Sequence, residues 1–378
     1  VLAVLGGSAA SALDTRRDDV RQFMAQVAAQ DGISKHALKK LLKAAHSEAS
    51  ILEAMERPAE KAKPWYEYRP LFLTERRIEE GAAFTAAHRD ELDQASLASG
   101  VPAEYIVAIL GVETFYGRLT GRYRVLDALA TLAFDYPPRA PFFKDELEQF
   151  ILLTHEASID PLTATGSYAG AMGAPQFMPS NYRKYAVDAN HDGHVDLWGS
   201  WPDIFASVGN YLKEHGWNAG EPVLSEARFQ PDELEPAAGR DLALSQTVAS
   251  LQARGVVFEQ LLPPEAPVML IAADESDGVH WRVGYQNFYT ITRYNHSALY
   301  AMAVYELAAA VKRRTEELAT QSAGLPATPP EPTPALTPLP PTPLPPTPLP
   351  PTPLPPTPLP PTPLPPAPLP PAPVPPSS

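Results

Sequence analysis

Apolar residues recur at helical spacing through the first part of the chain. Val20, Phe23, Met24 and Val27 form one stripe, and Leu38, Leu41 and Leu42 another, so residues 14–95 read as a helical domain. The aromatic stretch Lys63-Pro-Trp-Tyr-Glu-Tyr-Arg-Pro70 interrupts it as a loop, and a further helix is expected from about Thr74 to Asp93. Packing is a sufficient explanation for all of these pieces. The pattern changes at Tyr105-Ile-Val-Ala-Ile-Leu-Gly-Val-Glu113-Thr-Phe-Tyr-Gly117, where apolar residues cover nearly the whole circumference. That marks a buried helix, with Pro102 in its first turn and Gly117 as its stop. Leu126–Phe134 follows, broken at Pro137-Pro138, and then a helix from Phe142 to Glu156.

A loop, Gly166-Ser-Tyr-Ala-Gly-Ala-Met-Gly-Ala-Pro-Gln-Phe-Met-Pro179, separates these from the next helices. Its small residues either let a ligand approach the backbone or make a tight packing corner. From about Glu221 the texture turns to strands. Val268–Ala273 and Val279–Gly284, separated by Asp274-Glu-Ser-Asp-Gly278, predict a hairpin, with Pro267 at the strand start. Residues 221–285 are thus expected to be a small α+β insertion. Phe288 to about Leu318 returns to helix, with Asn295 or Ser297 as N-cap.

Two segments carry chemistry. Glu113 sits in the buried helix, where lost hydration raises a carboxyl pKa toward neutrality unless a cation pairs with it. That is how a general acid for cleaving glycosidic bonds is prepared. The plainer alternative is a helix-end glutamate that reaches water or pairs with Arg118 or Arg122. The second segment is Asp188-Ala-Asn-His-Asp192-Gly-His-Val-Asp196, which fits the first nine positions of a calcium loop. Asp188, Asn190 and Asp192 alternate as oxygen ligands, Gly193 makes the turn, His194 offers its carbonyl, and Asp196 holds position nine. Gly199 stands where the closing glutamate belongs, so a lengthened loop closed by Asp203 is needed. A turn-rich loop with no metal is the alternative.

Composition narrows the field. The 378 residues bear a formal charge of −14, which argues against a nucleic-acid partner. No cysteine is present, which excludes disulfides, thiolate metal sites and a lipid-modified cysteine in the residues shown. Residues 1–13 resemble the end of a secretory signal, with Ala10-Ser-Ala12 as cleavage site, and imply a periplasmic or secreted protein. Most of the 46 prolines lie after residue 324, and Thr-Pro-Leu-Pro-Pro repeats from Thr337. The 321–378 tail is expected to be polyproline II or disordered, reaching on the order of 160 Å at ~3.1 Å per residue. It is a spacer or ligand for a wall or protein partner, or a tail with none.

Several longer motifs bring a resemblance. Gly111-Val-Glu-Thr-Phe-Tyr-Gly117, Gly121-Arg-Tyr-Arg-Val-Leu-Asp-Ala-Leu129, Gly166–Gly173, Gln176-Phe-Met-Pro-Ser180, the calcium-like loop, Asn210-Tyr-Leu-Lys-Glu-His-Gly-Trp217, Tyr294-Asn-His-Ser297 and Tyr300–Val304 occur in that order. Together they resemble the lytic transglycosylase B family of bacterial cell-wall enzymes, over about residues 14 to 315. The resemblance implies an α+β, mostly α-helical fold. A lysozyme-like catalytic core spans 96–220, and the chain returns to it over 286–320. It implies non-hydrolytic cleavage of the MurNAc-β-1,4-GlcNAc bond of peptidoglycan, giving 1,6-anhydroMurNAc ends. A monomer with no cofactor for catalysis is expected. Glu113 matches the family's acid/base. Ser167, Gln176, Tyr211, Tyr294, Asn295 and Tyr300 match positions lining its cleft. The family's calcium loop is also lengthened, which supports a structural Ca2+ held with Asp203. The Pro-rich tail lies outside the family pattern.

Two other readings compete. A muramidase hydrolysing the same bond needs a second carboxylate near Glu113, supplied by Asp135 or Asp274 folding back. A non-catalytic wall-binding protein would gain nothing from a desolvated acid.

Overall fold

The computed structural model describes residues 11–56, 63–157, 159–228 and 241–323, with side chains described as far as residue 321. The expectations for residues 1–10 and for the repeats beyond 323 lie outside them. Ser11 and Ala12 form a short antiparallel pair with Ser47 and His46, and Leu13 is buried. The last residues of the expected signal remnant, Ser11 to Leu13, are thus packed on the body in this structure.

The body is helical and built around the Glu113 helix, Ala103–Thr114. Ile106 to Leu110 are completely buried. They are covered by helices Glu75–Ala87, Arg89–Ser99, Trp201–Glu214 and Ala298–Ala323. A second buried helix, Val125–Asp135, lies against Ala140–Glu156. Each buried Leu, Ile or Phe side chain contributes about 1.5–3 kcal/mol against its exposed state. The expected single helix from Thr74 to Asp93 is two, Glu75–Ala87 and Arg89–Ser99, separated at His88. The aromatic stretch expected as a loop forms helix Trp65–Phe72, with Trp65 fully buried. Among the described residues no single helix is long and apolar enough to cross a membrane.

Among the described residues the insertion is a five-stranded antiparallel sheet in the order Gln246–Thr247, Pro267–Glu275, Gly278–Gly284, Leu224–Arg228, Val257–Phe258. The expected hairpin is its centre, with Leu270 opposite Val283 and Ala272 opposite Trp281. Strand neighbours point to opposite faces. Met269, Ile271 and Ala273 accordingly join the main core, while Val268 and Leu270 join the insertion's own core with Val248, Leu251 and Tyr285. Burial on both faces explains why this strand reads as an unbroken apolar run. After the sheet come helices Gln286–Tyr294 and Ala298–Ala323. Ser297 caps the second, its Oγ accepting from Tyr300 N at 3.3 Å, and Asn295 ends the first.

Candidate active site

Glu113 is the second-last residue of its helix. The helix is stopped by Phe115 and Tyr116, both left-handed (φ 52° and 61°), two residues earlier than the Gly117 stop expected from the sequence. Tyr116 N reaches back to Leu110 O at 3.0 Å and closes the last turn. Thr114, fully buried, ties this end to the small-residue loop: its hydroxyl donates to Ala174 O at 2.8 Å and accepts from Gly117 N at 3.0 Å.

Three tyrosines from three other helices close round the carboxyl. Tyr300 Oη donates to Glu113 Oε1 at 2.6 Å. The Tyr294 ring stacks on Tyr300 at 6.4 Å and 10°, and its hydroxyl donates to Pro175 O at 2.6 Å. Tyr211 meets Tyr294 edge-on at 4.8 Å and donates to Arg293 O at 2.7 Å. Phe177 fills the angle between Tyr211 and Tyr294. Burial raises the Glu113 carboxyl to about 7, and the Tyr300 hydrogen bond opposes this in part. Its place in the last helical turn, at the negative end of the helix dipole, acts in the same direction as burial. Burial, reinforced by the Glu113 charge, also pushes the Tyr294 and Tyr300 hydroxyls up, so both are neutral donors at working pH. The residue is nonetheless only part-buried, which leaves the carboxyl a way to a ligand.

The cationic alternative for Glu113 fails. Arg118 pairs with Glu80, and Arg122 lies over the Tyr123 ring at 5.8 Å. The second-carboxylate alternative also finds no support at Asp135, which is held by Arg17 at 2.5 Å and Ser47 Oγ at 2.6 Å. Asp274 is paired opposite Val279 within the hairpin. Among the described residues Glu113 forms no ion pair, and its carboxyl has the Tyr300 hydroxyl as its hydrogen-bond partner.

The loop residues are held mainly by bonds within the loop. Gly166, Met172 and Phe177 form successive antiparallel bridges that fold the loop on itself. Ser167 Oγ accepts from Ala169 N at 3.2 Å and Ala171 N at 3.1 Å, so it shapes the loop from within. Gln176 is left-handed (φ 54°), and its amide donates to Thr120 O at 3.1 Å and Gly173 O at 3.0 Å. Gly121 is needed here, since a Cβ on it would lie 2.0 Å from Gly166 O. Asn295 follows Tyr294 directly at the helix end. The fold therefore brings Glu113, Tyr211, Tyr294 and Tyr300 into one linked group; Asn295 follows Tyr294 in the chain, and Gln176 lies between Pro175, whose carbonyl accepts from Tyr294, and Phe177, which packs on Tyr211 and Tyr294. Sequence reasoning missed Thr114, Phe177 and Tyr68, the last lying near enough to Tyr300 to act on its hydroxyl. Phe177 and Thr114 stood inside the quoted motifs, whereas Tyr68 lay in the stretch assigned to packing.

The calcium-like loop fits a cation only in part. Asp188 Oδ1 is buried and has no hydrogen-bond partner among the described residues, so it is available as a cation ligand. Asp188 Oδ2 accepts from Gly193 N, Asn190 Oδ1 from Asp192 N, and Asp192 Oδ1 from His194 N. Asp203, completely buried, accepts from Ala189 N at 2.9 Å, Asn190 N at 3.4 Å and Asp196 N at 3.0 Å. It braces the loop through its backbone. Asp196 likewise caps Trp198 N and Gly199 N. Among the described residues no three acid or histidine side chains gather as a cage.

Comparison with known proteins bears on this geometry. Residues 15–309 match the transglycosylase SLT domain family. The chain is 40% identical over 302 residues to membrane-bound lytic murein transglycosylase B of Escherichia coli K12, covering 78% of this chain and 82% of that one. Catenated lytic transglycosylase SltB1 from Pseudomonas aeruginosa superposes with a TM-score of 0.77 at 46% identity, over 79% of this chain and 98% of that one. The Escherichia coli lytic transglycosylase Slt35, solved in complex with calcium, gives 0.73 at 38% identity, over 84% and 100%.

Proposed function

Since the chain belongs to the transglycosylase SLT domain family and is a lytic transglycosylase cleaving peptidoglycan, we propose that Glu113 is its single general acid and base. The observation that carries this is the 2.6 Å bond from Tyr300 to a carboxyl that forms no ion pair among the described residues. With a pKa of about 7 the carboxyl is largely protonated in mildly acidic solution and about half protonated near neutral pH, so it can act first as an acid and then as a base. It gives its proton to the glycosidic oxygen as the C1–O bond breaks. Tyr300 then stabilises the carboxylate left behind. The carboxylate takes the proton of the sugar's own C6 hydroxyl, whose oxygen attacks C1 and closes the 1,6-anhydro ring. The nucleophile is already attached, so no second carboxylate is needed to activate water, and proximity supplies much of the rate.

Tyr211, Tyr294, Asn295 and Gln176 are proposed to line the ring and N-acetyl positions, with Ser167 acting through the loop it shapes. Digesting purified sacculi and weighing the products tests the reaction. Anhydro ends, 18 Da lighter than the hydrolytic products, are expected, and reducing ends would establish a hydrolase.

The metal reading is carried by Asp188 Oδ1 and the relative that binds calcium. Asp188, Asn190, Asp192 and the His194 carbonyl would hold the ion, with Asp203 fixing the loop round it. Calcium supplies charge and rigidity there, and no step of the reaction. The enzyme is proposed to work as a monomer on the periplasmic or outer side of the cell envelope, which light scattering and cell fractionation test. The Pro-rich tail is proposed to tether it to wall or a protein partner. Truncation after Ala323 should lower retention on intact wall and leave turnover of soluble glycan unchanged; no change in retention removes the tether.

A further inference from the structure

We infer that Arg77, Gly81 and Tyr116 form a brace that holds the catalytic helix end in a strained turn and thereby aims Glu113. This rests on the reading of Glu113 as the acid. Phe115 and Tyr116 are consecutive non-glycine residues in the left-handed region, directly after Glu113 and Thr114. Each costs about 1–2 kcal/mol there, in a position that helices commonly fill with glycine. Such strain persists only where the surroundings over-determine it, and it concentrates at functional sites.

The surroundings are provided by helix Glu75–Ala87. Tyr116 Oη donates to Arg77 O at 2.8 Å. The Tyr116 ring lies on bare backbone: a Cβ on Gly81 would stand 2.4 Å from its Oη, and one on Gly111 would stand 2.8 Å from the ring. Arg77 is 9% exposed and forms no ion pair among the described residues. Its guanidinium is held between the faces of Phe72 at 5.3 Å and Phe115 at 5.1 Å, and Nη1 donates to Leu71 O at 2.6 Å. Its Nε has no partner, so this buried cation is costly for the fold. The two strained residues are thus each gripped from one neighbouring helix, Phe115 by the Arg77 side chain and Tyr116 by the Arg77 carbonyl and Gly81.

Arg77, Gly81 and Tyr116 are positioning residues. Loosening the brace lets the last turn fray, swings the carboxyl and admits water to it. The ionisable groups facing that carboxyl are Tyr211, Tyr294 and Tyr300 from the helices packed round it. On the brace side, Arg76 and Arg118 are both taken up by Glu80. Among the described residues the acids of the other covering helix, Asp90, Glu91 and Asp93, form no hydrogen bond with it. Hydration would therefore lower the affinity of Glu113 for its proton, and the alkaline limb of activity would move to lower pH.

The test is Tyr116→Phe and Gly81→Ala in the full chain, with kcat, KM and the pH profile measured on peptidoglycan glycan, and folding checked by circular dichroism. Tyr116→Phe keeps the ring and deletes one hydroxyl, so it folds even if Gly81→Ala does not. A fall in kcat of about tenfold is expected, with KM within about twofold and the alkaline limb lower by roughly half a pH unit. A folded Tyr116→Phe enzyme with wild-type kcat and limb overturns the brace. Glu113→Gln run alongside separates the two ideas, because activity in that variant overturns the acid instead.

Discussion

Glu113 and Asp203 are the same functional group in two opposite settings. Glu113 stands in the last turn of one helix and Asp203 in the first turn of another, Trp201–Glu214. A helix favours a carboxylate at its start and disfavours one at its end. Asp203 is surrounded by donors, with three backbone N–H groups of the 188–203 loop directed at it. Glu113 has one tyrosine hydroxyl and otherwise apolar or aromatic surroundings. The number of fixed donors thus decides what a buried acid does. One donor leaves a proton that can be given and taken back, whereas three commit the group to accepting and turn it into an anchor.

The comparison breaks most visibly at Glu113. Glu113→Gln keeps the shape and the Tyr300 contact but cannot release a proton, so turnover should fall at least ~100-fold. The same change should remove a pH dependence of stability. The folded-state value of about 7 lies above the ordinary 4.5, so the folded protein holds this proton more tightly than the unfolded chain. The corresponding stability is fully present below about 4.5 and is lost as pH rises through about 7. Melting temperatures of wild type and Glu113→Gln should therefore diverge between pH 5 and pH 8, with wild type losing more. A Gln variant with near-normal turnover, or parallel melting profiles, removes the difference between the two acids.

The opposite substitution is Asp203→Asn. One acceptor is lost and an NH2 group is turned toward N–H donors in a fully buried place. The cost is about 2–4 kcal/mol, read as a lower melting temperature, while enzyme that remains folded keeps its cleavage chemistry. Loss of turnover without loss of stability would give Asp203 a part in the chemistry.

Sequence and structure met unevenly on these two groups. Glu113 was legible because helical periodicity displays an acid among Ile106, Val107, Ile109 and Leu110 without reference to the rest of the fold. The tyrosines came only with family motifs, since Tyr211, Tyr294 and Tyr300 are brought to Glu113 by long-range packing. The hairpin 267–284 was legible from its runs and turn. The role of Asp203 was not, because its partners are backbone N–H groups whose direction depends on left-handed His191 and Gly193. The Phe115–Tyr116 turn was hidden for a similar reason. Neither residue type announces a left-handed backbone, and Gly117 stood beside them as the obvious stop.

Tyr300→Phe sharpens the contrast by taking away the single donor. Its hydrogen bond holds the Glu113 value down against burial, so its loss should move the alkaline limb upward by about one pH unit, near the worth of one hydrogen bond to a charged group. That is opposite in sign to the shift expected from a loosened brace. A limb that stays put would mean that burial alone sets the acid.

The smallest effect belongs to the anchor's side. If calcium joins Asp188 Oδ1, it completes what Asp203 begins, since that oxygen is buried and unpartnered. The ion would then bind the folded protein and not the unfolded chain, adding about 1 kcal/mol at a few times its Kd, or a shift of roughly 2 °C in melting temperature. Asp188→Asn should abolish the shift, while Glu113→Gln should leave it intact, because the two acids belong to separate devices. Superimposable melting curves in calcium and in chelator, with no heat of binding by calorimetry, would leave the loop held by Asp203 and its own backbone alone.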